Sequence, residues 1–330
     1  MKKPWLSLLK LLILFAVIWI VGTKLRSAWL NVQQKQLAID WRWSPIAILS
    51  LSANMLTSSL VWRWLAWRKG DRSPTLPLLG AYFFSQTGKY IPGKIGLLLM
   101  RVERAARFGM SPGICTMSTL LENILYLISG GLFGMLAIGK ILDELRARDL
   151  ITASQQRWQW PLIAALMLIM MFACHPAIFY GIINRGLRFA KKSPIPPEQR
   201  LPLAPILISI FAFIPCWLFG GIAIWASTRC VQNIAFTDSA WLAPAFALSV
   251  IIGMASLMPG GLGARELVVG SAVTLQLTPA IGHDPAFIAG TAAALLLRLF
   301  QVISEITMGA IGILLTRAKP LSASPQTSPH

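Results

Sequence analysis

Two short strings of this sequence set cations beside glycines within otherwise apolar stretches: Gly88-Lys89-Tyr90-Ile91-Pro92-Gly93-Lys94-Ile95-Gly96 and Met258-Pro259-Gly260-Gly261-Leu262-Gly263-Ala264-Arg265-Glu266. Glycines lack a β-carbon, so successive backbone N–H groups can converge on an anion. In the second string, a short helix opening after the glycines would turn its positive end toward the same group. Arg265 would grip a phosphate with its two-pronged fork, and Glu266 would balance its charge when the site is empty. The expected binding residues are therefore Lys89, Pro92, Gly93, Lys94 and Gly96, with Pro259, Gly260, Gly261, Gly263, Arg265 and Glu266. A purely structural reading stands beside this one: a tight turn whose lysines snorkel to the interface, and an Arg265–Glu266 ion pair that locks the second turn.

A second set of polar groups lies within apolar runs. Glu122 sits mid-run beside Asn123, with Ser118 and Ser129 near the same helical face; Arg298, Gln301 and Glu305 follow at i, i+3 and i+7. Ionisable groups in such places are costly and should face the bundle interior. Two readings remain open, a polar route and charge compensation across the bundle, for example Arg298 with Glu122. No metal or cofactor is expected: His175 and His283 have no partner at ligand spacing, and Cys115, Cys174, Cys216 and Cys230 form no C-x-x-C pattern and read as buried free thiols.

The elements that must position these residues are helices in a bilayer. The 330 residues are 55% hydrophobic and 13% charged, whereas soluble chains carry about 25% charged residues. Six runs are long enough to cross a hydrocarbon core: about 5–23, 44–62, 112–138, 160–183, 201–227 and 285–316. Lys2, Lys3 and Lys10 precede the first, but 23–29 offers no small-residue cleavage site, so it reads as an uncleaved span. Two further stretches, 76–100 and 239–281, are interrupted at Pro92-Gly93 and Pro259-Gly260. Backbone broken at membrane depth survives only where protein or a wet cavity satisfies it, which predicts re-entrant or broken hairpins. The expected fold is all-α, a polytopic bundle forming one domain over 1–320, with a disordered Ser/Pro tail at 321–330.

The net charge of +18 would suggest nucleic acid in a soluble protein, but the cations gather in short loops between apolar runs and no basic helix lies outside them. Nucleic acid is not an expected partner. Arg63, Arg68, Lys69 and Arg72 make one basic loop, Arg101, Arg104 and Arg107 a second, and Arg185, Arg188, Lys191 and Lys192 a third. The positive-inside rule makes all three cytoplasmic, with both termini inside the cell membrane, while the cations of Lys24–Arg42 oppose that assignment.

The two strings share Pro-Gly-x-aliphatic-Gly, are separated by 259 − 92 = 167 residues, and are followed by Arg101 and Glu103 or by Arg265 and Glu266. An internal repeat with breaks at corresponding places points to a transporter's binding site. The second string, with Gly88–Gly96, Glu122 and Arg298, resembles the lysylphosphatidylglycerol synthase transmembrane region, the flippase-like integral membrane proteins, over about Leu6 to Thr316. Asn123 stands where the family pattern has an arginine. The resemblance implies a helical domain that moves or presents a lipid; the soluble aminoacyl-transfer domain of full-length synthases has no counterpart in these residues. The expected function is translocation of an anionic phospholipid or a polyprenyl-phosphate-linked lipid, beside enzymes of lipid or glycan biosynthesis. Rival readings are an integral membrane transferase on lipid-linked substrates and a non-catalytic scaffold. Against the transferase, the sequence holds no paired-aspartate metal motif, catalytic histidine set or nucleophile elbow.

Overall fold

A computed structural model describes residues 38–90, 95–147, 158–189, 195–197, 200–256 and 259–317. The expected first span, the proline-glycine break at 92–93, Lys94 and the C-terminal tail lie outside these residues. Among those described, every regular element is a helix: α1 (Ser44–Arg68), α2 (Thr75–Ser85), α3 (Ile95–Ala106), α4 (Pro112–Gly134), α5 (Ile138–Ala147), α6 (Gln159–Ala173), α7 (Pro176–Phe189), α8 (Leu203–Ala212), α9 (Ile214–Arg229), α10 (Ser239–Ala255), α11 (Ala264–Ile281) and α12 (His283–Leu315). Two 3-10 turns matter below, a first turn at Gln86–Tyr90 and a second at Pro259–Gly261. With no water to bond the backbone in a bilayer, only helices and closed barrels satisfy a spanning chain.

Five helical stretches among the described residues are long and apolar enough to cross a membrane: Trp41–Arg68, Pro112–Asp143, Leu203–Arg229, Phe236–Ala255 and His283–Leu315. Four coincide with expected spans. The fifth, built on α10, lies in a stretch read as an interrupted hairpin. The expected span at 160–183 is divided instead, because Pro176 cannot continue a helix and begins α7 after a turn at His175. The α6 segment of 15 residues rises roughly 22 Å, short of a bilayer core of about 30 Å.

The two hairpins differ in depth. The arms of the first, α2 and α3, have 11 and 12 residues and rise roughly 17 Å each; those of the second, α10 and α11, have 17 and 18 and rise roughly 26 Å. Their order nevertheless repeats: long helix, arm, turn, arm, long helix, as α1 to α4 and again as α9 to α12. The packing is reciprocal as well. Arm α2 lies on α12 of the other half, arm α10 lies on α4, and α1 lies directly on α9.

Small residues permit these crossings, as expected where lipid supplies no hydrophobic drive between helices. A β-carbon on Gly312 would stand 2.6 Å from the Gly80 carbonyl oxygen, and one on Gly290 would stand 2.5 Å from that of Gly270. Gly130 gives its space to Trp217, whose ring would lie 2.9 Å from a β-carbon there. Trp62, Trp217, Tyr82 and Phe213 fill the interior, and the four cysteines are buried and free.

Candidate functional site

The first and second turns approach each other within 8 Å between α-carbons, although 167 residues separate their motifs. One face of α12 serves both. Arg298 Nη1 donates to the Gly260 carbonyl at 3.2 Å, and its Nε lies 3.5 Å from Glu266. Glu305, seven residues and roughly 10 Å of helix rise further on, accepts from Lys89 of the first turn and, at 2.9 Å, from Gln301. The i, i+3, i+7 spacing that put Arg298, Gln301 and Glu305 on one face thus carries a polar spine facing both turns. Arg298 and Glu305 are each 3% exposed.

The glycines of the second turn hold backbone that other residues resist. Gly260, Gly261 and Gly263 have φ of 62°, 70° and 82°. Gly261 also makes room: a β-carbon there would lie 2.9 Å from Arg265 Cδ, and one on Gly253 of α10 would lie 2.4 Å from Arg265 Cγ. The arginine stem is threaded between two glycines. In the first hairpin, a β-carbon on Gly88 would strike the backbone of Gly96 and Leu97 at 2.7 Å, so that glycine closes the turn onto the start of α3.

Three expectations are corrected here. Glu266 makes no direct ion pair with Arg265: its Oε2 accepts from the Gly263 amide at 2.7 Å, capping α11, while Oε1 faces Arg298. The helix after the glycines is 18 residues long, and that carboxylate already occupies an amide at its positive end. Arg298 does not compensate Glu122. Glu122 meets Arg101 of α3 at 2.6 Å and accepts from the Tyr82 hydroxyl at 2.5 Å. Arg101 also donates to Ser85 at 3.1 Å, and its guanidinium centre stands 3.9 Å from the Tyr82 ring centroid.

That pairing revises the loop charges. Arg101 is 1% exposed and belongs to the bundle interior, and Arg63 is buried against Asp71 at 3.0 Å. Sequence reasoning counted both as loop cations. Arg101's place directly after the apolar run Leu97–Met100 was the available signal. The repeat takes a different form from the expected one: Arg101 on α3 pairs with Glu122 on α4, and Glu266 on α11 pairs with Arg298 on α12, the charges reversed. Glu103 instead makes an exposed pair with Arg107. Ser118 and Ser129 are buried on the face of Glu122, but Ser129 serves packing, bonded to the Trp217 indole at 2.9 Å.

Where the turns meet, Lys89, Arg265 and Arg298 stand with Glu266 and Glu305, three cations against two carboxylates among the described residues. The surplus is Arg265. Its guanidinium makes no hydrogen bond or ion pair among those residues, and its centre stands 5.4 Å from the Phe246 ring centroid. With Glu266, Val269, Ala294, Leu297, Arg298 and Gln301 it lines a cavity of about 10 Å³, room for about one water. Sequence reasoning missed Gly253 and Phe246, which no motif marks. Such a cluster can hold an anion once space opens for it.

A search of curated proteins returns no match. The family model described as the lysylphosphatidylglycerol synthase TM region matches residues 7–318, and with five helical stretches among the described residues long and apolar enough to cross a membrane the chain is a multi-pass integral membrane protein belonging to that family.

Proposed function

We propose that this protein translocates an anionic lipid across the cell membrane, its phosphate engaging Arg265 where the two hairpin turns meet, with Lys89, Lys94 and the turn glycines as further contacts. The observation that carries the reading is Arg265 itself: a cation within the bundle, beside a cavity and without a carboxylate of its own. An uncompensated charge at membrane depth is expensive and marks a functional site. The family, with its link to lipid biosynthesis or translocation, supports the substrate class. The approximate exchange of the two halves supports transport, since transporter sites lie at the interface of structural repeats.

A cavity of about 10 Å³ cannot admit a headgroup, so in this reading the hairpins part before lipid enters. Parting would stretch the Lys89–Glu305 and Arg298–Glu266 contacts, and an arriving phosphate would offer Lys89 and Arg298 a replacement for the carboxylates they leave. Glu305 and Glu266 would then line the path.

Liposomes containing fluorescent phosphatidylglycerol and an impermeant quencher test the proposal. The wild-type protein should expose inner-leaflet label to the quencher without changing its mass. Arg265→Ala should lower the initial rate about tenfold or more, the loss of one charged hydrogen-bonding group, and Arg265→Lys should fall between, keeping charge without the fork. Unchanged transport in Arg265→Ala would refute the site, and a changed lipid mass would favour a transferase.

A further inference from the structure

The helix α7 carries a second cationic feature, away from the hairpin turns. Two rows of residues run along it at helical spacing, Ala177, Gly181, Asn184 and Arg188 beside Ile178, Ile182 and Arg185, and both pass from apolar to cationic toward its C-terminal end. These seven residues and Arg200 line an open groove of about 820 Å³, within the roughly 300–1,000 Å³ typical of ligand sites.

The chain after α7 is held against this groove by side chains of α7 itself. Asn184 Oδ1 accepts from the Ile195 amide at 2.7 Å, and the Tyr180 hydroxyl accepts from the Leu201 amide at 2.7 Å. This clamp brings Arg200 to the cationic end, where its guanidinium donates to the Ile195 carbonyl at 3.3 Å and lies 5.8 Å from the Tyr180 ring centroid. None of Arg185, Arg188 and Arg200 forms an ion pair among the described residues. The negative end of the α7 dipole accounts for Arg185 and Arg188, but not for Arg200, fixed there by hydrogen bonds, nor for the apolar trough beside all three.

We infer that this groove is a standing site for an anionic phospholipid, with the phosphate among Arg185, Arg188 and Arg200 and an acyl chain along Ala177, Ile178, Gly181 and Ile182. Charge complementarity and the graded lining select that occupant, since basic pockets between helices at a membrane surface take anionic headgroups. The inference does not rest on translocation. The lipid here is held and not moved.

Gly181 supplies a test that leaves the charges intact. A β-carbon there meets nothing among the described residues within 4 Å, so the side chain of Gly181→Leu starts into the open trough. The fraction of purified protein carrying dioleoyl phosphatidylglycerol is read by native mass spectrometry over a lipid titration, with dioleoyl phosphatidylcholine as the neutral comparison. Wild type should prefer the anionic lipid. Replacing Arg185, Arg188 and Arg200 together by Gln should weaken that binding roughly 100-fold, about fivefold for each cation, and Gly181→Leu should weaken it as well. Arg265→Ala should leave this site filled, so loss at the hairpin site is distinguishable from loss here. Glycerol 1-phosphate should not compete. Equal binding by the triple variant and wild type would overturn the inference; so would loss in the triple variant with none in Gly181→Leu, or competition by glycerol 1-phosphate, since either points to a soluble phosphate.

Discussion

The buried carboxylates show what a charge costs inside this molecule. Asp71, Glu122 and Glu305 each meet a cation, Arg63, Arg101 and Lys89, and Arg298 faces Glu266 from α12. Cutting one member of such a pair leaves a charge without water or partner and costs about 3–5 kcal/mol, whereas replacing both by apolar or neutral groups is often close to neutral. Arg101→Leu should therefore lower the melting temperature in detergent sharply, and Arg101→Leu with Glu122→Gln should restore most of it. Equal losses in single and double variants would mean that the pair is not coupled. Arg265 should behave in the opposite way. It answers no carboxylate, so Arg265→Gln should leave the melting temperature unchanged or raised while transport is lost, the signature of a residue kept for function at some expense of stability.

At the scale of elements, one arm of each hairpin is placed by a glycine contact and each turn by a charge on α12. Gly80 and Gly312 let α2 approach α12, and Gly270 and Gly290 do the same for α11. Lys89 and Arg298 then tie the turns to one helical face. Cysteines introduced across the contact of the two turns, within residues 86–90 and 259–261, should crosslink through a short bridging reagent in native membranes, and anionic lipid should slow the reaction. Turns at opposite surfaces would be about 30 Å apart, beyond such a reagent. Failure at every neighbouring pair, with both cysteines shown to be reactive, would separate the hairpins and remove the shared site.

The whole molecule must also be oriented. With Arg63 and Arg101 withdrawn into the interior, the loop charges that remain near the first two basic segments are Arg68, Lys69 and Arg72, and Arg104 and Arg107. They still favour a cytoplasmic side. Cysteines replacing Arg68, Arg107 and Lys192 should react with an impermeant thiol reagent applied from the cytoplasmic side and stay unlabelled from outside. External labelling at Lys192 would reverse the orientation and with it the direction in which the first hairpin enters the membrane.

Much of this molecule was legible in one dimension because the bilayer imposes one-dimensional rules. Apolar runs of about 20 residues must be helices, and four of the five membrane-crossing stretches follow from them. Pro259-Gly260 announced a break because neither residue sustains a helix there, and the i, i+3, i+7 spacing of Arg298, Gln301 and Glu305 put them on one face. Pairing is different, because it is decided by what lies across a helix interface and not along the chain. Arg101 and Arg298 look alike in sequence, yet one crosses from α3 to Glu122 and the other to Glu266 and Gly260. Glu266 adjoins Arg265 in the chain but turns back to cap its own helix, since a free amide at a helix start competes for the same carboxylate. Arg265 is thereby left without an ion-pair partner among the described residues by a bond between its own chain neighbours Gly263 and Glu266, and its stem is housed by Gly253 from another helix. Only the folded chain brings those groups within reach of one another.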